Sequence, residues 1–132
     1  MNYVKIYAGE DGKSRFVDET WQVIAGDFTP PSPSGYMVTP TMSASGVLVM
    51  HHPADYLDDW HCAPALVLGT VLKGSVRILT SNGDARVLAP GDQFLAADLT
   101  GSGHKMEEAN GESYDLALVV LDNVPASLPR GL

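Results

Sequence analysis

Residues 75–97, SVRILTSNGDARVLAPGDQFLAA, decide the fold, because they contain three short strand patterns separated by two turns. In the first pattern Val76, Ile78 and Thr80 share one face, which is the period-2 alternation of a half-buried strand. Asn82-Gly83 follows and predicts a two-residue type I′ hairpin turn, with positive φ at both central positions. The stretch therefore predicts antiparallel β-structure.

Similar patterns lie on both sides of this stretch. The predicted strands are, in chain order, Tyr3–Tyr7, Asp18–Ile24, Gly46–His52, Ala65–Leu72, Ser75–Thr80, Ala85–Leu88, Gln93–Ala97 and Ser113–Leu121. No segment shows a helical period of useful length. Turns at intervals of about 8–12 residues are typical of a β-sandwich or a small barrel. The predicted fold class is all-β.

A proline-rich segment, Phe28–Gly35, separates the second predicted strand from the third. Proline keeps this segment out of a helix or a central strand. We expect it to pack along the body of the domain or across a dimer partner. The sequence thus predicts one domain over 1–132, made of an N-terminal strand and arm (1–45), a barrel (46–122) and a tail (123–132).

The composition describes an acidic globular protein. Hydrophobic residues make up 45% of the chain and charged residues 18%, with a formal net charge of −8. The eight Lys and Arg residues are scattered singly, so no basic stripe is present to neutralise phosphates. The sequence therefore predicts no nucleic-acid partner and no anionic membrane partner.

The sequence also bears on the compartment. The single cysteine, Cys62, excludes an internal disulfide and is consistent with a reducing environment. The first residues lack the apolar core of a signal peptide, and no window approaches the ~20 apolar residues of a membrane span. A cytoplasmic location is expected.

Two histidines far apart in the chain are the first candidates for chemistry. His61 lies in the segment 59–64, DWHCAP, and His104 follows the glycine-rich bend 100–103, TGSG. A closed or sandwiched β-structure can bring such distant side chains into one pocket.

These segments resemble the cupin superfamily of small double-sheet jelly rolls. The first cupin motif is H-x-H-x3-E-x6-G, and anchoring its glycine on Gly74 places its first histidine at His61. The second motif ends in a histidine some twelve residues after a P-G-D turn, and the turn at 90–92 places that histidine at His104. The D-W-H-x-A-P and T-G-x-G-H segments are similar to those of a group of little-characterised bacterial single-domain cupins. The upstream G-x-S-R/H-F segment and the proline-rich arm match that group too, so the resemblance covers essentially the whole chain.

The chain departs from the metal-binding cupin pattern at two positions. The resemblance implies three histidines and one carboxylate or amide, a mixed set suited to Fe, Mn, Zn or Ni. The second histidine falls on Ala63 and the glutamate on Val67, and neither side chain has a donor atom. His61 and His104 remain as an incomplete set, whereas closed or catalytic sites usually have three or more protein ligands. We therefore expect a more apolar pocket than that of the bacterial group, and a divalent metal only if His51, His52 or a carboxylate such as Asp59 or Asp98 completes the set.

Imidazoles in an apolar barrel mouth can act as general acid and base near neutral pH. The predicted catalytic residues are His61 and His104, with Asp59 and Asp98 as candidates to orient them. His51 and His52 are adjacent, so one of them faces inward from a strand and the other is exposed. The predicted substrate pocket contains Trp60, Ala63, Val67, Tyr56 and His52.

Three functions remain open from the sequence. The first is an enzyme that acts by proton transfer (isomerase, lyase or cyclase type) on a small, partly apolar organic molecule. The second is a metal-dependent, dioxygenase-like enzyme with His61 and His104 as ligands, and the third is a binding protein without catalysis. A homodimer, formed through the N-terminal strand and arm, is the expected assembly.

Overall fold

The computed structural model describes residues 1–26 and 35–128. Most of the proline-rich arm and the end of the tail lie outside the described residues. The strands are β1 (Asn2–Ala8), β2 (Ser14–Trp21), β3 (Ile24–Ala25), β4 (Met37–Val38), β5 (Ala44–His52), β6 (Val67–Lys73), β7 (Val76–Thr80), β8 (Ala85–Leu88), β9 (Gln93–Ala96), β10 (His104–Glu108), β11 (Tyr114–Leu121) and β12 (Ser127–Leu128).

The strands form two main sheets and one short ribbon. The larger sheet has the order β12-β2-β1-β9-β6-β11-β5, the smaller has the order β10-β7-β8, and β3 pairs with β4. The part of the chain that the structure describes contains no helix. The fold is an all-β, double-sheet jelly-roll barrel, as the sequence predicted.

The core lies between the two main sheets. Val76, Ile78 and Thr80 of β7 are all buried, as their alternation predicted. They face the inner side of the large sheet, and the main buried cluster comprises Val4, Ile6, Ala63, Val71, Val76, Ile78, Leu88, Phe94, Ala96, Met106, Tyr114, Leu116 and Leu118. A second cluster around Trp21 and Leu95 covers part of the outer side of the large sheet.

Two local expectations need correction. The second predicted strand, Asp18–Ile24, in fact begins at Ser14 and ends at Trp21. The turn at Asn82-Gly83 is not type I′, since Gly83 has φ +90° while no described non-glycine residue has positive φ. The amide of Gly83 and that of Thr80 instead close a three-residue loop onto the carbonyls of Thr80 and Asp84.

Strand β10 was not predicted. It pairs with β7 in antiparallel register, with His104 opposite Thr80. Its sequence, HKMEE, has one apolar side chain, so the hydrophobic pattern that indicated the other strands of the two main sheets, apart from the two-residue β12, is nearly absent. The strand matters for function because it carries the second candidate histidine.

The N-terminal strand is an inner strand of the large sheet. β1 pairs with β2 on one side and with β9 on the other. Both of its hydrogen-bonding edges are thus used within the chain, which leaves no edge of β1 for pairing with a partner. The homodimer itself stays a prediction.

Candidate functional site

A cavity of about 260 Å³ opens between the sheets. Its lining is mostly apolar and is completed by a small number of polar side chains, the composition typical of small-molecule sites. The lining residues are Met50, His52, Tyr56, Asp58, His61, Ala63, Pro64, Val67, Phe94, Ala96, His104, Met106, Leu116 and Leu118.

The backbone itself brings the two candidate histidines together. The amide of His61 donates to the carbonyl of His104 at 3.0 Å, and the amide of His104 donates back at 2.9 Å. Their ring centroids are 4.8 Å apart. Gly103 permits this bridge, because it has φ +77° and a Cβ there would lie 2.2 Å from the His61 carbonyl.

His104 is held by a buried carboxylate. Its Nδ1 lies 2.6 Å from Oδ2 of Asp98, and the side chains are 3% and 0% exposed. An ionised carboxylate can only accept, so Nδ1–H donates and Nε2 is the ring nitrogen left for a ligand. The Asp98 carbonyl also accepts from the amide of Ala63, which anchors the pair to the cavity wall. Oδ1 of Asp98 is buried and has no hydrogen-bond partner among the residues that the structure describes.

His61 lies at the mouth of the cavity and is oriented differently. Its Nδ1 is 2.7 Å from the main-chain carbonyl of Asp59, and since a carbonyl only accepts, Nδ1 carries a proton here as well. The carboxylate of Asp58 is 3.5 Å from the same nitrogen, and its other oxygen accepts from the amide of Met106 at 2.9 Å. The carboxylate of Asp59, by contrast, accepts from the amide of Trp60. Asp59 thus orients His61 through its backbone, and Asp58 supplies the nearby charge.

A second polar cluster lies beside the cavity, where His52 of β5 lines the wall and the buried Tyr114 of β11 contacts it from behind. The hydroxyl of Tyr114 and Nδ1 of His52 are 2.8 Å apart, with the two rings stacked. Tyr56 packs edge-on against His52 from the loop that follows β5. Burial lowers the pKa of His52 and raises the pKa of Tyr114, which keeps both groups neutral near neutral pH.

The structure brings together most of the predicted site. His52, Tyr56, Ala63 and Val67 all line the cavity with the histidine pair. The prediction of Trp60 as a pocket residue is wrong, since Trp60 does not line the cavity and is 44% exposed, whereas the next residue, His61, lines it.

The neighbours of two site histidines point elsewhere. His51, next to His52 in β5, is exposed and pairs with Asp115 on the outer face, as the strand alternation predicted. Cys62, next to His61, donates to the carbonyl of Gly101 at 3.1 Å and is not among the cavity-lining residues.

The sequence analysis missed several residues of the site. In the sequence, Asp58 is one of several aspartates in the segment 55–59, and no local pattern distinguishes it from Asp55. Tyr114 could have been found, since it is in phase with the inward residues Leu116 and Leu118 of β11. Three residues that line the cavity, Met50, Phe94 and Met106, could also have been found from the alternation along their strands. Tyr114 does not line the cavity itself but contacts His52.

The metal set of the cupin pattern does not fit these residues. Ala63 and Val67 occupy two of its four positions in the cavity wall and have no donor atoms. Within residues 1–26 and 35–128 no group of three or more His, Cys, Asp or Glu side chains is placed to hold a metal ion. Of the four motif positions, two therefore carry a ligand, His61 and His104, and structural or catalytic metal sites usually have three or more protein ligands.

Known proteins offer likeness in structure alone. A scan against family models and a search of curated proteins both find no match. The chain is similar to SPY1581, a conserved protein of unknown function from Streptococcus pyogenes, at 17% identity and TM-score 0.49 over 65% of this chain and 71% of that one. It is also similar to NMB1881 from Neisseria meningitidis, at 14% identity and TM-score 0.47, over 80% of this chain and 89% of that one. A third similar structure is a cupin 2 conserved barrel domain protein from Leptotrichia buccalis, at 18% identity and TM-score 0.38, over 58% of this chain and 41% of that one.

The cupin-like character of the fold is visible in the chain itself. Four positions of the cupin motifs, His61, Ala63, Val67 and His104, line one cavity of a double-sheet barrel. None of the described residues belongs to a helix long and apolar enough to cross a membrane.

Proposed function

We propose that this protein binds a small, neutral, partly apolar organic molecule in the barrel cavity and transfers a proton to or from it. The observation that carries the proposal is the buried pair of Asp98 and His104 against an apolar cavity. A carboxylate that orients an imidazole, while the other ring nitrogen faces a ligand, is the arrangement of a general base.

The two histidines have different roles in this proposal. Nε2 of the buried His104 removes a proton from a carbon next to a carbonyl group of the ligand, and Asp98 stabilises the positive charge formed on the ring. The electron pair of the broken C–H bond moves into an enolate, whose oxygen takes a hydrogen bond from protonated His61. Asp58, 3.5 Å from His61, stabilises that charge. The proton then returns to another atom, which isomerises the ligand, or a leaving group departs, which is an elimination.

The side chains that line the cavity favour an uncharged ligand. Among the described residues the cavity is lined by no Lys or Arg, the side chains that usually hold a carboxylate or a phosphate. The ligand is also small, because about 260 Å³ lies just below the usual range for ligand pockets.

The finer family assignment belongs to the same proposal. The segments DWHCAP and TGSGH support membership of the bacterial single-domain cupin group named above. We place the protein there as a non-metal member, with the metal-dependent enzyme as the alternative that metal analysis of untagged protein excludes or supports.

Hydrogen exchange into carbon tests the chemistry without knowledge of the natural substrate. A panel of small neutral ketones and lactones is incubated with the protein in D₂O, and deuterium at the α-carbon is followed by NMR. We expect exchange of at least one member, with loss in His104→Ala by a factor of about 10²–10⁴. The control His51→Ala removes an exposed histidine from the outer face and should leave exchange unchanged.

Two results would contradict the proposal. Exchange at the wild-type rate in His104→Ala would remove the histidine from the chemistry. Binding of panel members, detected by saturation transfer, with no exchange at all would make the protein a binding module.

A further inference from the structure

Three imidazoles line the cavity, and the contacts behind them fix where each ring carries its hydrogen. His52, His61 and His104 are all lining residues. In a neutral imidazole one nitrogen donates and the other accepts, so the partner of Nδ1 decides the role of Nε2. Nδ1 of His104 contacts a carboxylate and Nδ1 of His61 contacts a main-chain carbonyl, and both of these groups only accept. In their neutral forms these two rings therefore have Nε2 as an acceptor.

His52 has the opposite arrangement. Its Nδ1 lies 2.8 Å from the hydroxyl of Tyr114, a group that can donate as well as accept. Tyr114 is 1% exposed, and within residues 1–26 and 35–128 its hydroxyl has no other hydrogen-bond partner. If the hydroxyl accepted from Nδ1, its own hydrogen would be buried without an acceptor, which is strongly disfavoured. The hydroxyl therefore donates to Nδ1, and the hydrogen of the His52 ring is on Nε2.

Nε2 of His52 is the nitrogen that remains for a ligand. The ring is held by stacking on Tyr114 and by the edge-on contact with Tyr56. No described residue hydrogen-bonds Nε2, and Nε2 is not one of the buried side-chain atoms that lack a partner, so it keeps exposed surface on a ring that lines the cavity. Burial also lowers the pKa of His52, so the ring is neutral near neutral pH. His52 thus offers the cavity an uncharged N–H donor.

We infer that Nε2–H of His52 selects ligands that have a second oxygen acceptor besides the carbonyl group of the proposed reaction. The inference rests on the proposed function, which assigns the carbonyl oxygen to His61 and the acidic C–H group to His104. A ligand that presents a methylene group to the N–H removes its water and leaves it unpaired, whereas an ether, hydroxyl or keto oxygen accepts from it. The substrate class is a small ketone with a second, uncharged oxygen function. Tyr114 is a positioning residue, because it acts through His52.

Nitrogen NMR of the full chain tests the hydrogen positions directly. A ring nitrogen that carries hydrogen differs strongly in ¹⁵N shift from one that does not, so correlations with the ring C–H protons identify each tautomer. We expect the Nε2–H form for His52 and the Nδ1–H form for His104. In Tyr114→Phe the Nδ1–H form of His52 should appear beside the first, whereas Tyr56→Phe, which removes a hydroxyl that does not bond His52, should leave the tautomer unchanged. An Nδ1–H form of His52 in the wild type would overturn the inference.

Matched cyclic ketones test the selection of the second oxygen. Oxan-3-one and oxan-4-one have the ring size of cyclohexanone, with an ether oxygen, which can only accept, in place of one methylene group. In ligand-observed NMR titrations we expect at least one of them to bind about 3–10-fold more tightly than cyclohexanone, the gain from one hydrogen bond. His52→Leu should bring the affinities to near equality, whereas His51→Leu, on the outer face, should keep the preference.

The outcomes separate this inference from the proposed function. A preference for the ether ketone that depends on His52, with no deuterium exchange, supports the donor and contradicts the proton transfer. Equal affinities in the wild type, or no binding of any of the three ketones, would overturn the inference about His52, even where exchange into other panel members is observed.

Discussion

Two aspartate–histidine pairs in this protein share one geometry and differ in burial. Asp98 with His104 and Asp115 with His51 both have Nδ1–Oδ distances of 2.6 Å. The first pair is 3% and 0% exposed, and the second lies on the outer face at 62% and 32%. Burial decides how much such a pair contributes, because a surface pair is screened by water whereas a buried group left unpaired loses its hydration.

The first prediction compares asparagine at these two positions. In Asp98→Asn the amide oxygen can accept from His104, which forces the amide NH₂ into the place of the buried, unpartnered Oδ1. We expect this variant to lose about 1–3 kcal/mol of unfolding free energy and Asp115→Asn to lose less than about 1 kcal/mol. Urea unfolding of both variants measures the difference. Equal losses would show that the buried pair has no special energetic role.

The second prediction concerns pH and His52. Burial lowers the pKa of this histidine in the folded state, so the unfolded chain binds more protons below its ordinary pKa of about 6.5. Its contribution to stability is therefore present above that value and is lost as the pH falls through the folded-state pKa. In His52→Gln the loss of stability between neutral and mildly acidic pH should be smaller than in wild type, as measured by urea midpoints across pH. His51→Gln, on the exposed side of the same strand, should keep the wild-type slope.

At the scale of elements, the bend before β10 sets the distance between the two candidate histidines. Gly103 and Gly83 both have positive φ, at +77° and +90°. A Cβ at Gly83 meets nothing within 4 Å, but a Cβ at Gly103 would lie 2.2 Å from the His61 backbone. Gly83 is therefore required for its backbone conformation alone, whereas Gly103 is required both for its conformation and because a side chain would not fit there.

The third prediction follows from that comparison. Gly83→Ala should cost about 1–2 kcal/mol, the penalty of a left-handed alanine. Gly103→Ala carries the same penalty and in addition separates His61 from His104, so it should cost clearly more and abolish deuterium exchange into ligands. Thermal and urea unfolding give the two costs, and exchange in D₂O gives the effect on the site. Equal costs would mean that the backbone bridge adjusts without loss.

Strands with strong alternation were predictable from the sequence, and the weakly patterned ones were not. Strand β7 was predictable because each of its inward positions, Val76, Ile78 and Thr80, has an apolar or β-branched side chain. β10 was missed because its first inward position is a histidine, His104, and Met106 is its one apolar residue. Asp98 was predicted as one of two carboxylates that could orient the histidines, without assignment to His104. Asp58 was missed because its contacts with His61 and the amide of Met106 depend on tertiary structure.

At the scale of the whole molecule, the barrel brings the four positions of the cupin metal motif to one cavity, and two of them carry histidine. His61, Ala63, Val67 and His104 line a single cavity although they come from the loop before β6, from β6 and from β10. The backbone thus brings these four positions to one cavity, whatever side chains occupy them. With apolar side chains at Ala63 and Val67, the two imidazoles have no complete metal set around them, which is consistent with the proton transfer that we propose.

The last prediction restores the missing ligands. Ala63→His with Val67→Glu would give the cavity three imidazoles and one carboxylate, a set that binds divalent transition metals. We expect this double variant to bind one Zn²⁺ per chain in titration calorimetry and to unfold at a higher temperature with excess Zn²⁺, because a ligand that binds the folded state alone stabilises it. The wild type should show neither effect. Adding His104→Ala to the double variant should weaken the metal binding strongly, since the ion then loses a ligand from β10. If the double variant folds and binds no metal, the four positions do not converge as the barrel geometry requires.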